Sequence, residues 1–179
     1  MSGGSSATVG GVFGSDEQGE VDVDVLRWID LARLVLREER VPSDAEVSVI
    51  FVDERAITDL NERFLGGDGP TDVLAFPMDG DVVPPGRQPD QGGRGPGSTT
   101  DAGEPPSVLG DVVVCPSIAG RNASERGRAA DDEIALLVVH GLLHLLDYDH
   151  ADEEEGAAMR RREAELLERF REAGPRSPG

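Results

Sequence analysis

Three histidines within eleven residues constrain this chain more than any other feature of its sequence. They are His140, His144 and His150, and the chain contains no other histidine. On an α-helix, positions i and i+4 lie one turn apart on the same face. The imidazoles of His140 and His144 can therefore reach one metal ion, and a turn after the helix would bring His150 to it. The spacing predicts a metal site with three protein ligands.

The type of ligand indicates zinc and hydrolytic chemistry. An all-imidazole set favours zinc, although copper, nickel and iron also accept imidazole. Three protein ligands leave the fourth tetrahedral position to water, which is the arrangement of a catalytic site. Bound zinc lowers the pKa of that water and polarises the bond under attack. We expect a single Zn²⁺ ion per chain with zinc-bound water as the nucleophile, and the sequence identifies no catalytic side chain.

The segment that carries the first two histidines is predicted to be a central buried helix. Residues 133–146 are apolar nearly all round, as expected for a helix surrounded by protein. Burial disfavours the charged imidazolium and keeps the ring neutral, as a metal ligand must be. Gly141 costs about 1 kcal/mol relative to alanine inside a helix. Its presence beside His140 predicts that another group approaches the helix backbone closely.

Apolar periodicity along the chain predicts an α+β fold. The pattern indicates a small mixed four-stranded sheet packed with helices, the central helix carrying two metal ligands. The predicted helices are residues 23–40, 56–64, 117–124, 131–146 and 152–172. The predicted strands are residues 46–53, 71–77 and 109–115, with a possible edge strand at residues 9–13.

Composition divides the chain into one domain and flexible segments. Residues 1–22 are expected to be largely flexible, with the possible edge strand among them. Residues 23–172 are predicted to form a single metal-dependent hydrolase domain. Within it, residues 79–107 are dense in Pro and Gly and are predicted to be a disordered loop. Residues 173–179 are predicted to be a flexible tail.

Charge and cysteine content limit the partners and the compartment. The net charge of −19 repels polyanions, so any nucleic-acid contact must be local. No apolar run is long enough to cross a bilayer and no secretory signal is visible, so no membrane partner is expected. Cys115 is the only cysteine, which excludes an internal disulfide and favours the reducing cytoplasm. It is expected to be a small buried residue.

The histidine spacing also matches that of metzincin peptidases, H-E-x-x-H-x-x-G-x-x-H. Those enzymes use the glutamate that follows the first histidine as general base. Gly141 stands at that position here. A metzincin-like metallopeptidase therefore remains an alternative that lacks its base.

The histidine segment resembles the YbeY family of bacterial rRNA maturation factors, whose pattern is H-G-x-L-H-L-x-G-Y-D-H. Here it reads HGLLHLLDYDH at residues 140–150. Two further stretches are similar to that family, PTDVLAFP at residues 70–77 and LGDVVVC at residues 109–115, and so is Leu60-Asn61. The resemblance covers roughly residues 23–170.

The resemblance implies a zinc-dependent, single-strand-specific endoribonuclease. It would act in 3′-end maturation of the small-subunit (16S) rRNA and in ribosome quality control. Single-stranded RNA is the expected partner, and DNA is not. The three zinc ligands of the family correspond to His140, His144 and His150. A non-catalytic ribosome-assembly factor with a structural metal is the second alternative.

Three positions depart from the family pattern, among them Ala75, which replaces a common serine. Asp147 replaces a usual glycine in the turn before the third ligand. If that turn requires a positive φ, aspartate is among the residues that tolerate it, and we predict that the turn survives. Leu65 stands where many members have an arginine thought to engage substrate. Arg63 is the nearest candidate for substrate binding, although positions i and i+2 of a helix face different ways.

Residues near the third histidine and on the last helix have more than one interpretation. Asp149 either orients a ligand imidazole or is a solvated turn residue. Tyr148 either stacks on a base or packs against the core. On the last helix, a run of three arginines at residues 160–162 lies close in sequence to Glu163, Glu165 and Glu168, which predicts a solvated face of ion pairs.

Overall fold

The computed structural model describes residues 4–78, 108–148 and 151–174. Within these ranges the chain forms five strands and five helices. The strands are β1 (Ser6–Val9), β2 (Val12–Asp16), β3 (Glu46–Phe51), β4 (Val73–Pro77) and β5 (Val108–Val114). The helices are α1 (Val25–Glu38), α2 (Glu54–Phe64), α3 (Pro116–Glu125), α4 (Ala130–Leu145) and α5 (Glu153–Ala173).

The strands form one mixed sheet in the order β1-β2-β3-β5-β4. The β2–β3 and β3–β5 pairs are parallel, whereas β1–β2 and β4–β5 are antiparallel. The α+β class is therefore confirmed, but the predicted number of four strands is wrong. β4 lies at one edge of the sheet, and this edge borders the candidate site described below.

The additional strand comes from the N-terminal residues that were expected to be largely flexible. The predicted edge strand at residues 9–13 spans the turn of a hairpin, whose register pairs Val9 with Val12. Gly10 and Gly11 both have positive φ, 54° and 82°, as a tight hairpin turn requires. Two glycines between short apolar segments are typical of this turn. The predicted strand instead ran through both glycines.

Alternate residues of β5 face two parts of the core. Val112 and Val114 belong to the larger hydrophobic cluster, which includes Trp28 of α1 and residues of α4 and α5. Val113 lies in a smaller cluster with residues of α2, α3 and β4, among them Ile57. Successive side chains of a strand point to opposite faces, so helices cover both faces of the sheet.

Helix α4 is buried along most of its length and contacts α1, α3, α5, β4 and β5. Its acidic first turn places negative charge at the positive end of the helix dipole. The position and burial of α4 agree with the prediction of a central helix. The other predicted helices and the strands after residue 45 are also confirmed, with ends that differ by up to two residues.

Two predicted segments lie largely outside the described residues. The loop predicted at residues 79–107 lies entirely outside them. Of the tail predicted at residues 173–179, the structure describes residues 173 and 174, and Ala173 ends α5. Among the described residues, no helix combines the length and the apolar character that crossing a membrane requires.

Candidate active site

A cleft of about 340 Å³ lies between α4 and the β4 edge of the sheet. Among the described residues that line it, the polar side chains are His140 and His144, which point into it from one face of α4. The rest of the lining is apolar, namely Leu65, Val73, Leu74, Ala75, Pro77 and Gly141. The two histidines are thus the groups in this cleft that can bind a metal or polarise a substrate.

The i, i+4 spacing brings the two imidazoles together as the sequence predicts. His140 Nε2 and His144 Nε2 lie 3.0 Å apart, and the ring planes are nearly perpendicular, at 79°. Two nitrogens that each lie roughly 2.0–2.1 Å from one tetrahedral zinc are about 3.3 Å apart. The observed separation is close to that value, so this pair fits a shared metal ion.

Glu163 of α5 contacts the opposite nitrogen of the first histidine. His140 Nδ1 lies 2.6 Å from Glu163 Oε1. The Glu163 side chain is 9% exposed, whereas that of His140 is 34% exposed. When the imidazole is neutral and Nδ1–H donates to the carboxylate, the proton-free nitrogen is Nε2, which faces the cleft.

The described residues contain no group of three or more His, Cys, Asp or Glu side chains placed to hold a metal. His150, the third predicted ligand, and its neighbour Asp149 lie outside the described residues. The geometry therefore bears on two of the three predicted ligands.

The turn after α4 has the backbone conformation that the sequence suggested. Asp147 adopts a φ of 69°. Its N–H donates to His144 O at 3.2 Å, and Tyr148 N–H donates to Leu143 O at 3.0 Å. These two hydrogen bonds define a Schellman motif with a left-handed residue after the helix end. The prediction that aspartate tolerates this turn is confirmed.

Tyr148 is anchored to the C-terminal end of α1. Its hydroxyl donates to Glu39 Oε2 at 2.8 Å, and Arg162 of α5 donates to Glu39 Oε1 and to Glu38 O. Burial, followed by the hydrogen bond to Glu39, raises the pKa of the Tyr148 hydroxyl above its ordinary value. The ring also packs against the main core. Of its two interpretations, core packing is the one that this geometry favours.

Arg63, the candidate substrate-binding residue, and Leu65, the departure from the family pattern, differ in their relation to the cleft. Leu65 follows α2 directly and lines the cleft with a 43% exposed side chain. Arg63 is absent from the described lining of the cleft, and its Nε lies 3.0 Å from Asp59 Oδ1. The departure at Leu65 therefore makes the cleft wall apolar, and Arg63 does not restore a charge to it.

Sequence reasoning missed the role of Glu163, because it assigned the glutamates of the last helix to a solvated face. Glu163 instead lies on the buried side of α5. Met159 and Leu166, the other large buried residues of that side, flank it at helical spacing. An acidic residue within an apolar stripe was the pattern that could have revealed it. Arg162 is also partly buried, whereas Glu165 and Glu168 are exposed as predicted.

Comparison with known proteins agrees with these features. The family model described as endoribonuclease YbeY matches residues 14–171. A protein from Salinispora tropica named endoribonuclease YbeY is 46% identical over 150 residues, which cover 84% of this chain and 90% of that protein. A protein of the same name from Acidothermus cellulolyticus is 46% identical over 151 residues, covering 84% of this chain and 86% of the relative.

A solved structure shows the same fold at greater sequence distance. The solution structure of a Thermotoga maritima protein matches with a TM-score of 0.52 and 26% identity, covering 92% of this chain and 96% of that one. The resemblance inferred from the histidine motif is thus confirmed over most of the chain. The chain belongs to the endoribonuclease YbeY family.

Proposed function

We propose that this protein is a zinc-dependent, single-strand-specific endoribonuclease of the cytoplasm. It would act in 3′-end maturation of the small-subunit rRNA and in ribosome quality control. The single observation that carries the proposal is the pair of Nε2 atoms, on His140 and His144, 3.0 Å apart in the cleft of a YbeY family member.

The proposed metal ligands are His140, His144 and His150. The first two offer nitrogens at a separation that suits tetrahedral zinc. The Schellman motif at Asp147 supports the third, because it ends α4 and lies three positions before His150 in the sequence. Asp149 is proposed to orient a ligand imidazole. When bound, zinc supplies Lewis-acid activation of the scissile phosphate and of the attacking oxygen.

The cleft walls support a preference for single strands. Leu65, Val73 and Ala75 are among the apolar residues that line it. Unstacked bases expose flat apolar faces that can pack on such a surface, whereas the bases of a duplex are stacked inside it. The net charge of −19 makes broad electrostatic binding of RNA unfavourable. Arg63 is proposed as a local phosphate contact at the α2 surface, outside the cleft.

The test combines metal analysis with RNA cleavage. Purified protein is expected to contain one zinc per chain, and His140→Ala is expected to lose both the zinc and the cleavage of a single-stranded rRNA 3′-end fragment. Glu168→Ala on the exposed face of α5 serves as the control and should retain both. The same fragment annealed to its complement, and a DNA strand of equal sequence, should not be cut. Stoichiometric zinc without RNA cleavage in the wild type would contradict the proposal.

The two alternatives make different predictions in the same assay. A peptidase would degrade unfolded protein, but the described cleft lining contains no carboxylate to act as its base. A structural metal would make folding depend on the ligands, so His144→Ala would lower the unfolding temperature sharply. Under the proposal, His144→Ala stays folded and loses zinc, since the hydrophobic core holds α4 in place.

A further inference from the structure

Glu163 is the carboxylate that the fold brings to the back of the histidine pair. It is separated from His140 by 23 residues and reaches it because α5 packs against α4. Burial of a carboxylate is costly unless hydrogen bonds compensate for the lost water. Glu163 lies in the apolar stripe of α5, and its carboxylate is hydrogen-bonded to His140 Nδ1 at 2.6 Å.

This contact determines which imidazole nitrogen carries the proton. The Nδ1–H group donates to the carboxylate, and the neutral ring then offers its Nε2 lone pair to the cleft. Rotation of the ring about its Cβ–Cγ bond would break the hydrogen bond. Glu163 therefore restrains the orientation and the tautomer of His140 at the same time.

We propose that Glu163 is a positioning residue for His140, which prepares this histidine to bind the metal before the metal arrives. The inference rests on the metal site of the proposed function and adds a residue that the histidine motif does not contain. A carboxylate behind a ligand imidazole raises the basicity of the ligand and reduces the reorganisation needed on binding. A role confined to packing of α5 would give neither effect.

Three variants separate these roles. Glu163→Ala removes the acceptor, whereas Glu163→Gln retains an amide oxygen that can accept from Nδ1–H. Glu168→Ala removes an exposed carboxylate from the same helix and is the control with the same change in charge. Thermal unfolding of each variant reports the contribution of packing.

The first measurement uses metal-free protein. Nitrogen-15 NMR of the histidine rings distinguishes the Nδ1–H from the Nε2–H tautomer. We expect His140 to be predominantly Nδ1–H in the wild type, in Glu163→Gln and in Glu168→Ala, and to become a mixture in Glu163→Ala. An unchanged tautomer in folded Glu163→Ala would overturn the inference.

The second measurement is zinc affinity by competition with a chelator of known affinity. Glu163→Ala is expected to bind zinc roughly 10–100-fold more weakly, Glu163→Gln to fall between it and the wild type, and Glu168→Ala to match the wild type. If Glu163→Ala does not fold, Glu163→Met takes its place, because it fills a similar volume in the apolar stripe without an acceptor, and wild-type affinity in that variant overturns the inference. If His140→Ala binds zinc with wild-type affinity, the proposed metal site is wrong. If only Glu163→Ala does so, the metal site stands and the proposed role of Glu163 is wrong.

Discussion

Gly141 of α4 and Val112 of β5 lie so close together that no side chain fits at position 141. A Cβ atom there would lie 2.6 Å from Val112 Cγ1. This contact explains the glycine beside the first histidine, because the helix must approach the sheet closely at the floor of the cleft. It also argues against the peptidase alternative, since a glutamate at this position would displace Val112 or the helix.

Gly141→Ala should destabilise the protein despite the higher helix propensity of alanine. Overpacking costs about 1–3 kcal/mol, and the propensity gain offsets about 1 kcal/mol of it. Val112→Ala in the same chain should relieve the clash, so the double variant loses less stability than the two single losses added together. Urea denaturation of the four proteins measures this. Additive losses would show that the contact between residues 112 and 141 is not what destabilises Gly141→Ala.

Asp147→Gly should stabilise the protein by about 0.5–1 kcal/mol. The left-handed region costs an L-residue about 1–2 kcal/mol, and the greater flexibility of unfolded glycine cancels part of the gain. Asp147→Val should destabilise it, because a β-branched residue tolerates the observed φ of 69° poorly. The midpoints of thermal unfolding test both changes. Equal midpoints for the glycine and valine variants would contradict a left-handed turn.

Leu65→Arg should strengthen binding of single-stranded RNA and make it more sensitive to salt. The new guanidinium would lie in the cleft wall, and one added phosphate contact steepens the logarithmic salt slope by about 0.7. Fluorescence anisotropy with a 2′-O-methyl strand measures affinity without cleavage. Leu65→Gln controls for the loss of the apolar side chain. In the same series, Arg63→Ala is expected to make the salt dependence of binding less steep. An unchanged salt slope would contradict the proposed phosphate contact of Arg63.

Arg126→Ala should cost more stability than Arg27→Ala, although both remove one arginine that pairs with the first turn of α4. Arg126 Nη1 lies 2.6 Å from Oε1 of Glu133, whose side chain is 1% exposed. Arg27 pairs at 3.3 Å with Asp131, which is well exposed. A buried carboxylate left without its partner is costly, whereas an exposed pair contributes little.

We expect a loss of roughly 1–3 kcal/mol for Arg126→Ala and less than about 0.5 kcal/mol for Arg27→Ala. The first value lies below that of a fully buried pair, because Arg126 is half exposed and Arg128 lies 3.8 Å from the other oxygen. Urea unfolding at one ionic strength compares the two variants. Equal losses would mean that burial of Glu133 does not govern the energy of the pair.

The sequence alone predicted those parts of the site that depend on local geometry. The spacing of His140 and His144 is enough to place them on one helical face, whatever the helix packs against. The left-handed turn at Asp147 was suggested by the glycine that the YbeY family usually has there, and it is also a local feature, because a Schellman motif involves only neighbouring residues. Gly141 indicated a close approach but not the identity of its neighbour.

The tertiary structure decided every contact between separate elements. Val112 as the neighbour of Gly141, Glu163 behind His140 and the apolar wall at Leu65 all require the relative placement of helices and strands. The N-terminal hairpin likewise becomes part of the sheet because β2 pairs with β3, a partner more than 30 residues away along the chain. Helical and turn geometry act over a few residues, whereas contacts between elements depend on how the whole core packs. For that reason the histidine pair could be predicted, whereas the sequence could at most mark Glu163 as a buried carboxylate and not identify His140 as its partner.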